Sequence, residues 1–155
     1  IFTMALPNVF DASVVEQLTQ RLNKLSNSTT QQWGKMNVAQ MLAHCNVSLE
    51  TAMGLNFPKR KLIGRLFGKL IKRKFIDSKP MIKNALTEDH YVTNVNVYDF
   101  EREKGRAIHL VRTFYENGPE KCTKHKHSYF GSLTPNEWAI LKWKHFDHHL
   151  RQFGC

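Results

Sequence analysis

The sequence predicts an all-α fold: a bundle of four or five helices, with a basic amphipathic helix as an additional member between the second and third bundle helices. Three observations carry this reading. Apolar residues recur at the three-to-four-residue spacing of amphipathic helices in successive stretches of the chain. Capping residues stand at the heads of these stretches, and polar or Gly/Pro-containing breaks separate them. No internal repeat or low-complexity tract interrupts the 155 residues, so one helical domain over 1–155 is expected.

The first helix is expected between Phe10 and Leu25, where Val14, Val15, Leu18, Leu22 and Leu25 keep the helical period and Asp11 or Ser13 caps the start. Ser26 to Thr30 reads as a loop. Trp33 and Gly34 then lead to Asn37, an N-cap for Val38 to Met53, in which Val38, Met41, Leu42, Cys45, Leu49, Ala52 and Met53 share one face. Phe57 to Phe75 carries eight Lys or Arg between Lys59 and Lys74, and no acid occurs between Glu50 and Asp77. Leu62, Ile63, Leu66, Phe67, Leu70 and Ile71 form an apolar stripe along it, while Gly64 and Gly68 sit one turn apart. Asp77 to Asp89, with Pro80, is a connector. Val92, Val95, Val97 and Tyr98 are compatible with a strand, but the longer window through Phe100, Ala107, Ile108, Val111 and Phe114 favours a third bundle helix. Asn117-Gly118-Pro119 ends it, and Glu120 to Gly131 is a polar loop holding His125 and His127. Thr134-Pro135-x-Glu137 is a strong start for a last helix from about Pro135 to Phe153, stopped at Gly154.

Composition narrows the class. With 41% apolar residues, ten Phe, three Trp and four Tyr, the chain can build a real core, which excludes intrinsic disorder. Cys45, Cys122 and Cys155 show no CxxC spacing, which argues against a disulfide framework and against a thiolate zinc site. Reduced thiols, the absence of any run near the ~18 to 20 apolar residues of a spanning helix, and an N-terminus unlike a signal peptide lead to the expectation of a soluble, cytoplasmic protein.

Histidine is abundant, with eight residues, and four of them are His127, His145, His148 and His149. A divalent metal needs neutral imidazoles converging at ~2.0 to 2.1 Å, and positions i and i+4 project to one side of a helix. His145 and His149 have that spacing and share the sector of Trp138 and Leu141, whereas Glu137, Lys144, Asp147 and Arg151 form a polar arc with His148 at its margin. A third ligand must come from another helix. His44 is the candidate, in a polar strip with Gln40, Ser48 and Thr51 beside the apolar face of the second helix. The competing reading makes His44 exposed and the C-terminal histidines a solvated face. His127, His148, Gln40, Ser48 and Trp138 are candidates to line or support the site.

Two segments carry a family resemblance: Trp33-Gly34-Lys35-Met36-Asn37-Val38-Ala39-Gln40-Met41-Leu42-Ala43-His44-Cys45, and Phe130-Gly131-x-Leu133-Thr134-Pro135-x-Glu137-Trp138 continuing to His145-x-Asp147-His148-His149-Leu150-Arg151-Gln152-Phe153-Gly154. They resemble a bacterial family of unknown function within the DinB/YfiT-like superfamily. The resemblance implies an antiparallel four-helix bundle and a divalent metal held by a histidine of the second helix and an HxxxH pair of the fourth. Those positions fall on His44, His145 and His149. In related families the position of His127 is followed by proline and aromatic residues; Ser128 departs from that pattern.

Three neutral histidines leave positions open on an ion, the arrangement of a catalytic site. The resemblance implies metal-dependent transfer or hydrolysis on a small, thiol-containing molecule, and the basic segment allows that substrate to be anionic. A nitrogen-only site accepts zinc or nickel foremost, and iron or copper as well. Glu50, Glu137 and Asp147 are the nearest carboxylates in sequence, but Glu137 reads as a cap, and Asp147 either orients an imidazole of another chain or is simply solvated. Cys45 reads as core. Lys59, Arg60, Lys61, Arg65, Lys69, Lys72, Arg73 and Lys74 either form the solvated face of a helix whose apolar side packs on the bundle, or dock on anionic lipid or phosphate, or attract an anionic substrate. Leu62 to Phe75 is also a candidate homodimer contact through Gly64 and Gly68. No base-reading motif accompanies the basic segment, which argues against a nucleic-acid reader.

Overall fold

Asp11 heads α1 (Ala12–Asn23), its Oδ1 accepting from the Ser13 N–H at 2.8 Å. In α2 (Val38–Ala52) the Gln40 N–H donates to Asn37 Oδ1 and the Asn37 N–H donates to Gln40 Oε1, both at 2.9 Å, so two otherwise orphaned donors are satisfied reciprocally. α3 (Leu62–Phe75) starts without any side-chain cap. Asp99 caps α4 (Phe100–Asn117), which stops at Gly118 with φ +70°, a conformation that favours glycine. Thr134 and Glu137 form the capping box of α5 (Pro135–Gln152), with Pro135 at its first position. This computed structural model describes residues 5–85 and 97–155, and among them only helices, one short 3₁₀ turn at Pro119–Lys121 and an isolated bridge between His127 and Gly131 are regular. Val92 and Val95 lie outside the described residues; Val97 is fully exposed and Tyr98 precedes α4, whose span agrees with the helical reading of that window.

α4 packs on α1 and α2, and α5 packs on the same two helices from the other side. Named contacts fix the directions. Val9 N–H donates to Ala139 O (3.3 Å) and Arg21 pairs with Asp147 (2.8 Å), so α1 and α5 run parallel. Asn46 meets Glu103 and Glu50 meets Arg106, so α2 and α4 run parallel as well. Phe10 stacks on Phe114 at 5.1 Å while Lys104 Nζ donates to Asn23 O and Leu25 O, making α1 and α4 antiparallel. His44 faces His145 and Ser48 faces Lys142, making α2 and α5 antiparallel. Two of the four pairings are therefore parallel, where the family resemblance implied an antiparallel bundle. The long chain between α2 and α4, which contains α3, gives the connection that two parallel helices need to return to the same end.

Leu18, Leu22, Leu42, Leu49, Trp138, Phe146 and Leu150 are among the residues that fill the interior. α3 departs from the expected packing. Its stripe does not face the bundle: Leu62, Ile63, Leu66, Phe67 and Leu70 are each more than half exposed, up to 71% for Leu62. The buried side of α3 is that of Gly64 and Gly68, where a Cβ would come within 3.0 Å of the Tyr129 backbone, with Ile71 and Phe75 partly buried nearby. The two glycines are thus packed against the chain's own backbone.

Candidate metal centre

His44 lies on the face of α2 that meets α5, and the antiparallel pairing of these helices sets it opposite His145. Nε2 of His44 and Nε2 of His145 lie 2.8 Å apart. One turn further along α5, His149 closes a triangle in which each pair of ring centroids is 4.7 Å apart. One ligand atom from each ring lies within 4.8 Å of the others. His44 and His149 are buried; His145 is partly exposed, although its Nδ1 is buried and has no protein hydrogen-bond partner.

Tautomer and charge follow from the surroundings. His149 Nδ1 lies 2.8 Å from Gln152 Oε1, and because the Gln152 Nε2 donates to Trp33 O (2.7 Å) the amide is oriented with its oxygen toward the ring. His149 is therefore the Nδ1–H tautomer, leaving the Nε2 lone pair directed away from Gln152. Burial pushes the imidazolium of His149 down to about 3, with His44 adding to the effect and the Gln152 bond opposing it. Burial also holds His145 well below its ordinary range, followed by the charges that His44, His149 and Lys142 would present. Neutral imidazoles with free lone pairs are the form that binds a divalent ion. The donor set is all nitrogen, which suits zinc, nickel, copper or iron.

The chain around this cluster ties the two resemblance-bearing segments together. Gln32 N–H donates to Gln152 O at 2.7 Å, and Gly34, at φ +83°, packs so closely on the Gln152 amide that a Cβ would collide with Nε2. Arg21 of α1 donates to Asp147 Oδ1, and Arg151 pairs with Asp147 Oδ2 at 2.9 Å. Asp147 is consequently buried and ion-paired, not solvated as its place on the polar arc suggested. Lys144, on the same arc, is also buried, with its Nζ bonded to Asp77 O (2.7 Å).

The family described as "Protein of unknown function (DUF1569)" matches residues 10–154. The chain belongs to that family. No curated protein and no solved structure matches it.

In this DUF1569 chain the other site candidates divide by position. Ser48 and Trp138 lie on the same α2/α5 seam as the histidines: Ser48 Oγ accepts from Lys142 Nζ at 2.7 Å, and Trp138 borders a cleft of about 290 Å³ together with Thr51, Asn56, Arg60, His125 and Lys126. That cleft opens about two helical turns from His44 and His145, so it is not the histidine site itself. Gln40 is engaged in the α2 capping box. His148 is half-buried, edge-on to Trp33 (5.9 Å between centroids) and 5.0 Å from His149. His127 organises its own loop, its Nδ1 accepting from the N–H groups of Tyr129 (3.1 Å) and Phe130 (3.3 Å) with its ring stacked on Phe130. Arg60 donates to His127 O, and Lys72 pairs with Glu137 at 2.9 Å, so these two cations are held within the fold. Glu50 and Glu137 are engaged by Arg106 and by Lys72, respectively, and Cys45 is a fully buried thiol whose ionisation is pushed far up by burial. Lys142 and Gln152 escaped the sequence reading; each is three residues from a proposed ligand, a spacing that puts it on the same helical face.

Proposed function

We propose that this chain is a metal-dependent transferase or hydrolase of DinB/YfiT-like architecture, with α1, α2, α4 and α5 as its four-helix bundle and His44, His145 and His149 as its metal ligands. The observation that carries the reading is the convergence of three imidazoles from α2 and α5 within 4.8 Å of one another, with burial disfavouring the charged form of His145 and His149. A divalent ion on three imidazoles supplies a Lewis acid and acidifies a bound water or thiol toward neutral pH.

The chain's own residues do the rest. Gln152 fixes the tautomer of His149, and the Trp33 carbonyl fixes Gln152. Ser48 and Lys142 stand one turn along the seam, and Arg60, Lys126 and His125 border the cleft beyond them, a run of cationic and donor groups that favours a small anionic or thiol-containing substrate. Glu50, Glu137 and Asp147 are all engaged by cations elsewhere, so proton transfer falls to groups other than these carboxylates.

Elemental analysis of protein purified without a polyhistidine tag tests the proposal. Wild type should carry about one equivalent of a divalent metal and the His145→Ala/His149→Ala variant essentially none, with circular dichroism confirming that the variant is helical. Equal, sub-stoichiometric metal in both would end the enzyme reading.

A further inference from the structure

α3 is amphipathic in the wrong sense for a helix that completes a core. At 100° per residue, Gly64, Gly68, Ile71 and Phe75 share the inward sector, and this is the side that meets the Tyr129–Phe130 backbone. Leu62, Leu66, Leu70, Ile63 and Phe67 occupy the opposite sector and stand 53% to 71% exposed. Five large apolar side chains on one outward face are more than the scattered exposed leucines a soluble surface carries. Arg65, Lys69 and Arg73 run along one flank of this stripe, Lys74 sits at its C-terminal end, and all four are exposed. Leu55 and Phe57, 63% and 57% exposed, and the exposed Lys59 precede the helix in sequence.

We infer that α3 is an in-plane docking helix for an anionic lipid bilayer, its apolar face entering the headgroup and acyl boundary while Lys59, Arg65, Lys69, Arg73 and Lys74 meet lipid phosphates. Charge complementarity selects this occupant. The segment between Glu50 and Asp77 carries eight cations and no acid, in a chain of net charge +10, so a second copy would bring two such flanks together. Nucleic acid would satisfy the cations but leave the five apolar side chains in water. A bilayer with acidic headgroups satisfies both. The glycine pair explains how the face stays available: α3 is held to the bundle by the close approach at Gly64 and Gly68, by Ile71 and Phe75 on the same side, and by the pairs Lys72 to Glu137 and Lys144 to Asp77.

Flotation with vesicles of phosphatidylcholine, with and without phosphatidylglycerol, tests the inference on the full chain. Wild type should float with the anionic vesicles at low salt and much less with neutral ones. Leu66→Ser/Leu70→Ser, exposed changes that leave the interior intact, should weaken binding about tenfold or more. Arg65→Ser/Lys69→Ser/Arg73→Ser should weaken it severalfold and flatten its salt dependence. The inference is overturned if wild type ignores anionic vesicles, if it binds neutral and anionic vesicles alike, if the leucine variant binds as wild type does, or if wild type is a dimer that Leu66→Ser/Leu70→Ser converts to a monomer without any vesicle binding. The His145→Ala/His149→Ala variant should float like wild type, separating this surface from the metal site.

Discussion

Gln152 touches no position where an ion would sit, yet it should govern affinity for one. Its Oε1 lies 2.8 Å from His149 Nδ1 and its Nε2 donates to Trp33 O at 2.7 Å, in a residue only 3% exposed. Gln152→Met keeps length and volume and removes both hydrogen bonds. His149 then loses the group that selects its Nδ1–H tautomer and fixes its ring plane, and outer partners of this kind are worth roughly 10- to 100-fold in metal affinity. The Trp33 carbonyl and the His149 N–H are also left without partners in a buried place, a stability cost of about 1 to 3 kcal/mol. Gln152→Glu separates the two roles, because it keeps an acceptor for His149 while losing the donor to Trp33. Titration of zinc against a chromophoric chelator, with urea unfolding in parallel, should give a dissociation constant raised at least about tenfold for the Met variant. The Glu variant should stay within a fewfold of wild type. A folded Met variant with unchanged affinity would refute the claim that Gln152 orients His149.

Gly34→Ala should imitate Gln152→Met, since a Cβ at φ +83° would strike the Gln152 amide; in the Gln152→Met background it should add little, and chelator titration of the double variant would show whether the effects are additive. His127 should make stability acid-sensitive. Its folded-state value is about 3 against 6.5 unfolded, burial being the first cause and Lys142 and Arg60 the next, so its contribution is complete above pH 6.5 and is lost as pH falls toward 3. Between pH 6.5 and 5 that amounts to about 2 kcal/mol, and urea midpoints of His127→Asn should fall correspondingly less over the same interval. Leu42→Ala, at a fully buried position, should cost about 3 kcal/mol by urea unfolding. Gly64→Ala should push α3 off the Tyr129 backbone, and trypsin should then cleave faster at the basic residues of α3 than in wild type.

Helix starts were legible in the sequence because their causes are local: Asn37 with Gln40, and Thr134 with Glu137, satisfy backbone donors within one turn. The histidine triangle was legible in part for a related reason: i and i+4 positions on one helix and a polar strip beside the apolar face of another made a meeting point one of two readings, and the family resemblance pointed to the same three residues. What escaped depended on distant chain. Lys144 and Asp147 look solvated on a helical wheel and are buried because Asp77 and Arg21 come to them. Lys142 is fully enclosed because Ser48 offers its hydroxyl across the α2/α5 seam. Periodicity reports which side chains prefer water, and a partner from elsewhere in the fold can reverse that preference by satisfying the charge.

α3 shows the opposite failure, and the reason is steric. A wheel assigns the apolar sector to the interior because removing that area from water is ordinarily the dominant driving force for packing a helix. Here Gly64 and Gly68 allow a close backbone approach that no other pair of residues in α3 permits, and once Tyr129 and Phe130 occupy that side, the leucines on the far side cannot also turn inward. Helix geometry leaves no rotation that buries both sectors against one bundle. Five apolar side chains left in water are unfavourable for the isolated chain, and flanking cations with no acid among them narrow the surfaces that would relieve the exposure to one that is both apolar and negatively charged. The histidine cluster and the outward helix therefore place separate demands on the fold: the α2/α5 seam must hold three imidazole rings together, and the Tyr129–Phe130 backbone must hold α3 with its stripe facing away.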